Sequence, residues 1–192
     1  MRLASVERAQ RLPARTFVGV LQLATRRRMD PVVVTMLHRP ALWGRSFSAI
    51  VVRAMRGPSY WSAAEREYMA VVVSRANECP FCLRAHTETT RIESGGRLDE
   101  QTVRPELAAV LPLLERLTRD PDTVGPSDVD AVRAAGVPDD AIEDALHVLF
   151  VFNTVNRLAN TLGWSWDSEA HTRFAATMLH RIGYRLPGFT LR

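Results

Sequence analysis

A chain of 192 residues with 46% hydrophobic and 24% charged side chains is long enough to bury a core unaided and too apolar to be disordered throughout. Its two cysteines exclude a disulfide scaffold and a four-cysteine zinc module, and no apolar run approaches the ~20 residues that span a bilayer. All 25 basic residues are arginine, so neither a lysine Schiff base nor a Walker-type phosphate-binding lysine is available.

The net charge of +4 is unevenly spread, with 15 Arg against 7 acids in residues 1–96 and 10 Arg against 14 acids in residues 97–192. Such a two-sided distribution suits subunit assembly or an acidic partner, although arginine-rich coding alone would also produce the composition.

Met1 to Arg15 is basic and polar, and an apolar patch from Phe17 to Ala24 runs straight into Arg26, Arg27 and Arg28. This reads as an amphipathic helix of two to four turns, not as an export signal, which needs a longer apolar stretch and a small-residue cleavage site. A cytoplasmic location is expected. Residues 1–28 hold seven Arg against Glu7, yet carry no nucleic-acid-binding motif and no clustered aromatics for base stacking, so no nucleic acid and no membrane partner is expected.

Asp30-Pro31, Arg39-Pro40 and Gly57-Pro58 punctuate the next segments. Ser62-Ala63-Ala64-Glu65 forms a capping box, and Met69, Val72 and Val73 then fall on a helical stripe that Asn77 ends. A second helix starts at Cys79-Pro80 and stops at Gly95-Gly96, and a third covers about 99–119. Residues 120–126 form a loop, and a short helix from about Ser127 ends at Gly136.

Pro138-Asp139-Asp140 opens a long helix ending at Gly163, broadly buried and central by its apolar content. A last helix spans about 167–182, and the tail from Gly183 to Arg192 reads as extended. The expectation is an all-α, single-domain bundle of about eight helices. Residues 1–30 form a basic N-terminal helical extension, 31–182 the main helical domain, and 183–192 a C-terminal tail.

The chemistry concentrates in Glu67, Cys79, Cys82 and His86, spaced E-x11-C-x2-C-x3-H. Pro80 at the first helical position places Cys79 at the N-cap and Cys82 in the first turn, where backbone amides and the helix dipole stabilise a thiolate. His86 lies one turn after Cys82 on the same face and can take its proton, a nucleophile-and-base arrangement. If the two helices fold back as a hairpin, Glu67 faces the sulfurs as a second acceptor. A zinc site would have to use Cys79, Cys82, His86 and a fourth ligand, but no second Cys/His pair is visible. Inert core cysteines remain the other alternative. A redox-active dithiol is the leading reading.

Among the remaining candidates, His147 on the long apolar helix reads as a buried core histidine. Asn153, Asn156 and Arg157 read as structural or as part of the site wall. His38, His171 and His180 have no partner pattern. Trp43, Trp61, Trp164 and Trp166 read as core or interface, and Met55, Met69 and Met178 as core fillers.

Glu67, Cys79-Pro80-Phe81-Cys82 and His86 resemble the alkylhydroperoxidase D-like (AhpD-like) proteins of the carboxymuconolactone decarboxylase superfamily. The flanking Ala64–Glu67 and Ser74–Cys79 are similar to the same family's preceding helix, and Phe152–Asn160 to a segment of its peroxidase-related branch.

The resemblance implies an all-helical fold, homo-oligomers and a peroxidase or disulfide reductase that needs no cofactor. Cys82 would then be the peroxidatic thiol and His86 its proton partner. Cys79 would be the resolving thiol, the more exposed sulfur that a reductant attacks, and Glu67 would complete the relay through water near Cys79. The substrate would be a hydroperoxide, and the reductant a lipoyl protein, a thioredoxin-like protein or a small thiol. Some members carry histidine directly before the second cysteine; Phe81 stands there here, which makes the relay drier by one proton carrier. The other function class is a non-enzymatic helical oligomer in which the cysteine pair is a disulfide lock or sensor.

Overall fold

A computed structural model describes residues 1–8 and 11–188. Among these residues there are ten α-helices, one π-helical turn, one 3₁₀ turn and no strand, which makes the all-α expectation the observed class. The helices are α1 (Ala4–Arg8), α2 (Leu12–Thr25), α3 (Pro31–His38), α4 (Arg45–Arg56), α5 (Ala63–Ala76), α6 (Pro80–Glu93), α7 (Pro105–Arg119), α8 (Pro126–Ala134), α9 (Asp139–Leu162) and α10 (Glu169–Ile182). No helix among the described residues is long and apolar enough to cross a membrane. The expected extended tail lies partly outside the description, since residues 189–192 are not covered.

Local rules account for most helix ends. Ser62 Oγ accepts from the Glu65 amide while the Glu65 carboxylate accepts from the Ser62 amide, so the capping box opens α5. Proline at the first helical position starts α3, α6, α7 and α8, and Gly163, left-handed at φ 65°, closes α9.

Helix α7 starts later than expected. Residues 99–102 are instead held in a turn by the Asp99 carboxylate, which accepts from the Gln101 amide and the Thr102 hydroxyl, and Pro105 then sets the true first turn.

Helix α5 is the axis of the molecule. It packs against α6 in a hairpin and against α7 and α9 on its other sides, and ten of its fourteen residues are buried. Helix α9 is long and in contact with α4, α5, α6 and α7, but it keeps one face in solvent, with Leu146, His147 and Phe150 exposed. His147 is therefore a surface residue near Glu143 and Asp144, not the buried core histidine expected from its apolar neighbours. The main core gathers Trp61, Met55, Met69, Val73, Leu107, Leu114 and Val148, and the Trp61 indole donates to the Ala141 carbonyl.

The α5–α6 connection positions the cysteines. Cys79 N–H donates to the Ser74 carbonyl and Glu78 N–H to that of Arg75, the paired bonds of a Schellman motif. Glu78 occupies the left-handed position at φ 50°, where glycine is usual.

Three asparagines of α9 grip this turn. Asn153 Oδ1 accepts from Asn77 Nδ2, Asn156 Oδ1 accepts from the Ser74 hydroxyl, and Asn160 Nδ2 donates to the Asn77 carbonyl. Their polarity on an otherwise apolar helix is structural. Because Glu78 is exposed and its Cβ is unfavourable in the left-handed region, Glu78→Gly is expected to stabilise the protein by about 0.5–1 kcal/mol, read from the denaturation midpoint.

Candidate functional site

The hairpin brings Glu67, Cys79, Cys82 and His86 into one neighbourhood. Glu67 projects from the middle of α5 with no solvent exposure. Its Oε2 lies 2.7 Å from His86 Nδ1, while its Oε1 accepts from Arg56 Nη2 at 2.7 Å and from the Tyr184 hydroxyl at 2.8 Å. Arg56 also donates to Glu93 at 2.8 Å, and His180 approaches Glu93 at 3.1 Å, so the polar cluster continues to the surface. Contact between Glu67 and the histidine is direct, whereas the sequence suggested a water-linked position near Cys79.

Burial pushes the Glu67 carboxyl upward, but the hydrogen bond and charge of His86 and then those of Arg56 outweigh it, and its pKa ends below the ordinary carboxylate value. Glu67 is thus ionised at neutral pH and can only accept, so in the neutral imidazole Nδ1 carries the proton and Nε2 is left as a base. Phe152 braces the imidazole edge-on at 4.3 Å. The same charge raises the Tyr184 phenol well above its usual range, after burial as the larger cause.

Both cysteines are free and buried, at 1% exposure for Cys79 and 3% for Cys82. The expectation that Cys79 is the more exposed sulfur is not met. Cys79 packs within Ala159, Leu162 and Trp164, with Met1, Val32 and Trp166 against the same cluster. The neighbouring Cys82 thiol holds Cys79 below the ordinary thiol value, against the opposing effect of burial and with help from the Cys82 and Phe81 amides. Cys82 is correspondingly pushed well above, by its interaction with Cys79 first and then by burial. The two thiols titrate as a pair, with the proton more easily lost from Cys79.

A cavity of about 160 Å³ opens beside Cys82 and His86. Its wall is almost wholly apolar, with Val32, Met36, Val51, Phe152, Trp166, Met178 and Leu186 among the lining residues. The α10–tail junction, 182–186, forms one side, so the tail contributes both a wall and the Tyr184 hydroxyl. Cys79 does not line this cavity.

The remaining candidates fall elsewhere. His171 Nε2 pairs with Asp30 at 2.9 Å on the far side of Trp166, and His180 pairs with Glu93. Trp61, Met55 and Met69 are core, whereas Met178 lines the cavity. Arg56 and Tyr184 were not singled out in the sequence. Among the described residues no group of three or more His, Cys, Asp or Glu side chains is arranged to hold a metal ion.

The sequence pattern of the Carboxymuconolactone decarboxylase family matches residues 44–103, which include all four residues of the site. No curated protein is similar enough to match. Solved structures that share the fold include two peroxidase-related proteins. An uncharacterized peroxidase-related protein from Silicibacter sp. TM1040 has a TM-score of 0.70 and 25% identity, over 88% of this chain and 92% of its own. An uncharacterized peroxidase-related protein from Ralstonia eutropha JMP134, described as an alkylhydroperoxidase AhpD core, has a TM-score of 0.69 and 26% identity, over 86% and 92%.

Glu67 carries a testable signature. Its depressed carboxyl pKa stabilises the fold fully above the ordinary carboxylate value of about 4.3, and this contribution is lost as pH falls through the lower folded-state value. Glu67→Gln strands Arg56 and is expected to cost about 3 kcal/mol at pH 7. Denaturant titrations across pH should show the gap between variant and parent shrinking only below about pH 4.

Proposed function

We propose that the chain is an alkylhydroperoxidase D-like member of the carboxymuconolactone decarboxylase superfamily and that it is a thiol-dependent peroxidase. In this reading it reduces hydroperoxides through the Cys79–Cys82 pair, with His86 and Glu67 as the proton-handling dyad. The observation that carries the reading is the placement of Cys82 and His86 on one wall of an apolar cavity, with His86 held from behind by an ionised buried carboxylate. A disulfide lock needs neither the cavity nor the dyad.

The chemistry closes without a cofactor. Cys82 S–H gives its proton to His86 Nε2, and the imidazolium that forms is stabilised by Glu67. The sulfur attacks the terminal peroxide oxygen, the O–O bond breaks, and His86 returns the proton to the departing alkoxide or hydroxide. Cys82 is left as a sulfenic acid.

Cys79 sulfur then displaces the hydroxyl, which leaves as water with the Cys79 proton, and the S–S bond forms. Two thiols and one hydroperoxide thus become a disulfide, an alcohol or water, and one further water. A dithiol of the lipoyl, thioredoxin or small-thiol class restores the pair by exchange. Because Cys79 is the more acidic sulfur, it is the better leaving group, so the reductant attacks Cys82 from the cavity side. Assembly into homo-oligomers and a cytoplasmic setting belong to the same proposal.

Cys82→Ser is expected to abolish hydroperoxide consumption, and Cys79→Ser to allow one oxidation per chain that stops at the sulfenic acid, trapped by dimedone and read by mass spectrometry. His86→Gln should slow the first step by about 10²-fold or more while leaving both thiols titratable. Peroxide consumption at the parental rate in Cys82→Ser would overturn the assignment. A parent protein whose thiols survive hydroperoxide unchanged would overturn the enzyme reading itself.

A further inference from the structure

Glu67 uses its two oxygens unequally. Oε2 meets His86 Nδ1 at 2.7 Å, whereas Oε1 accepts from both Arg56 Nη2 and the Tyr184 hydroxyl. The same Arg56 nitrogen also donates to Glu93, at 2.8 Å, so it is shared between two carboxylates. The Tyr184 hydroxyl has a single proton, and that proton goes to Glu67.

The end of α10 is shaped to deliver this hydroxyl. Gly183 closes the helix with its N–H on the Leu179 carbonyl and a backbone φ of 66°, where a side chain would be strained. The turn brings the Tyr184 ring against Arg56, with the guanidinium carbon 5.1 Å from its centroid, and onto the wall of the cavity that Cys82 and His86 also line. Burial first, and then the Glu67 charge, keep the phenol protonated well beyond the neutral range. Tyr184 is thus a standing donor to Glu67 and carries no proton in the reaction.

The pull of a carboxylate on an imidazolium depends on how far other donors already satisfy its charge. We propose that Tyr184 is a positioning residue for the reaction, pinning and partly satisfying Glu67 Oε1 and so limiting how tightly Glu67 holds a proton on His86. Acting through Glu67, it lets His86 take the Cys82 proton and still return it to the leaving oxygen. The inference rests on the reading of His86 as the proton carrier of a peroxidase, but part of its signature lies in the imidazole itself.

Other charged and titratable groups surround His86. Glu67 comes from α5, Arg56 from α4, Cys82 from its own helix, and Tyr184 and Arg185 from the tail, while α9 presents the edge of Phe152. Glu93 and His180 lie one step further out, beyond Arg56, and Asp30 on the cavity wall is paired with His171 at 2.9 Å. Tyr184→Phe alters none of these charges and keeps the ring that packs on Arg56 and walls the cavity. It removes the hydroxyl alone.

The test compares Tyr184→Phe with the parent in two ways. Proton NMR follows the His86 Nδ1–H resonance, assigned by its absence in His86→Gln, which is expected to move downfield as the bond to Glu67 tightens. Hydroperoxide consumption is followed against pH, and its acid limb is expected to rise by about half to one pH unit with KM close to parental. Protein made with 3-fluorotyrosine, whose more acidic hydroxyl is the stronger donor, is expected to move the Nδ1–H resonance upfield. The other tyrosines lie elsewhere, Tyr60 on Arg104 and Tyr68 in the main core.

An unmoved or upfield resonance in Tyr184→Phe, or an unmoved acid limb, overturns the proposal; a raised KM with an unmoved limb leaves Tyr184 only a wall of the cavity. Should circular dichroism show that Tyr184→Phe does not fold, the fluorotyrosine protein decides, and an unmoved or downfield resonance there overturns the proposal equally. A parent that consumes no hydroperoxide sinks the functional reading, whereas the resonance shifts decide separately whether Tyr184 governs the hold of Glu67 on His86.

Discussion

A carboxylate with no access to water is stable only where its charge is met on every side, and the interior of this protein is arranged around that requirement at Glu67. Arg56 arrives from the end of α4, His86 from the middle of α6 and Tyr184 from beyond α10, and each delivers one hydrogen bond. Three elements remote from one another in the chain are thereby tied to one atom pair on α5. Removing any donor leaves a buried charge short of a partner, which costs more than the same bond is worth at the surface. The cluster therefore fixes the angle at which α6 leaves the α5 hairpin, and with it where Cys82 and His86 face.

The same arrangement gives His86 its character. A neutral histidine on an otherwise apolar wall, beside Phe152, would have either tautomer available. The ionised Glu67 fixes the proton on Nδ1, leaving Nε2 as the free lone pair. On the proposed chemistry this is the division of labour among a nucleophile, a histidine base and an orienting carboxylate that recurs in unrelated hydrolases, here built into one helix and its hairpin partner.

What the sequence disclosed follows from how local each cause is. The capping box at Ser62 and Glu65, the proline starts and the glycine stop after Leu162 are decided within a few residues, and these helix ends were legible. The four site residues were legible because three lie on one helix turn or the next, and the fourth is one hairpin away.

Arg56 and Tyr184 carried no such mark. They lie 11 and 117 residues from Glu67, one of them among 25 arginines and the other in a short tail without pattern. His147 lies on the surface although its apolar neighbours point to burial. Helix α9 is apolar on more than one face, and composition does not say which face turns outward. The late start of α7 reflects an Asp–Thr turn competing with the helix it precedes.

The two sulfurs, three positions apart, occupy unlike surroundings because a helix begins between them. Cys79 is the N-cap, outside the helical screw and packed under Trp164 and Leu162. Cys82 is already one turn in, facing the cavity with His86 behind it on the same face. On the proposed chemistry, attack and resolution need such unlike environments. The attacking sulfur needs substrate access and a proton acceptor, and the resolving sulfur needs to be nucleophilic without being accessible. One proline at the helix start supplies both, since it sets the N-cap and hence which cysteine lies inside the helix. Phe81 fits the same logic: its ring, stacked on Trp166, adds an apolar surface to the cavity wall beside Cys82 and keeps water away from the pair.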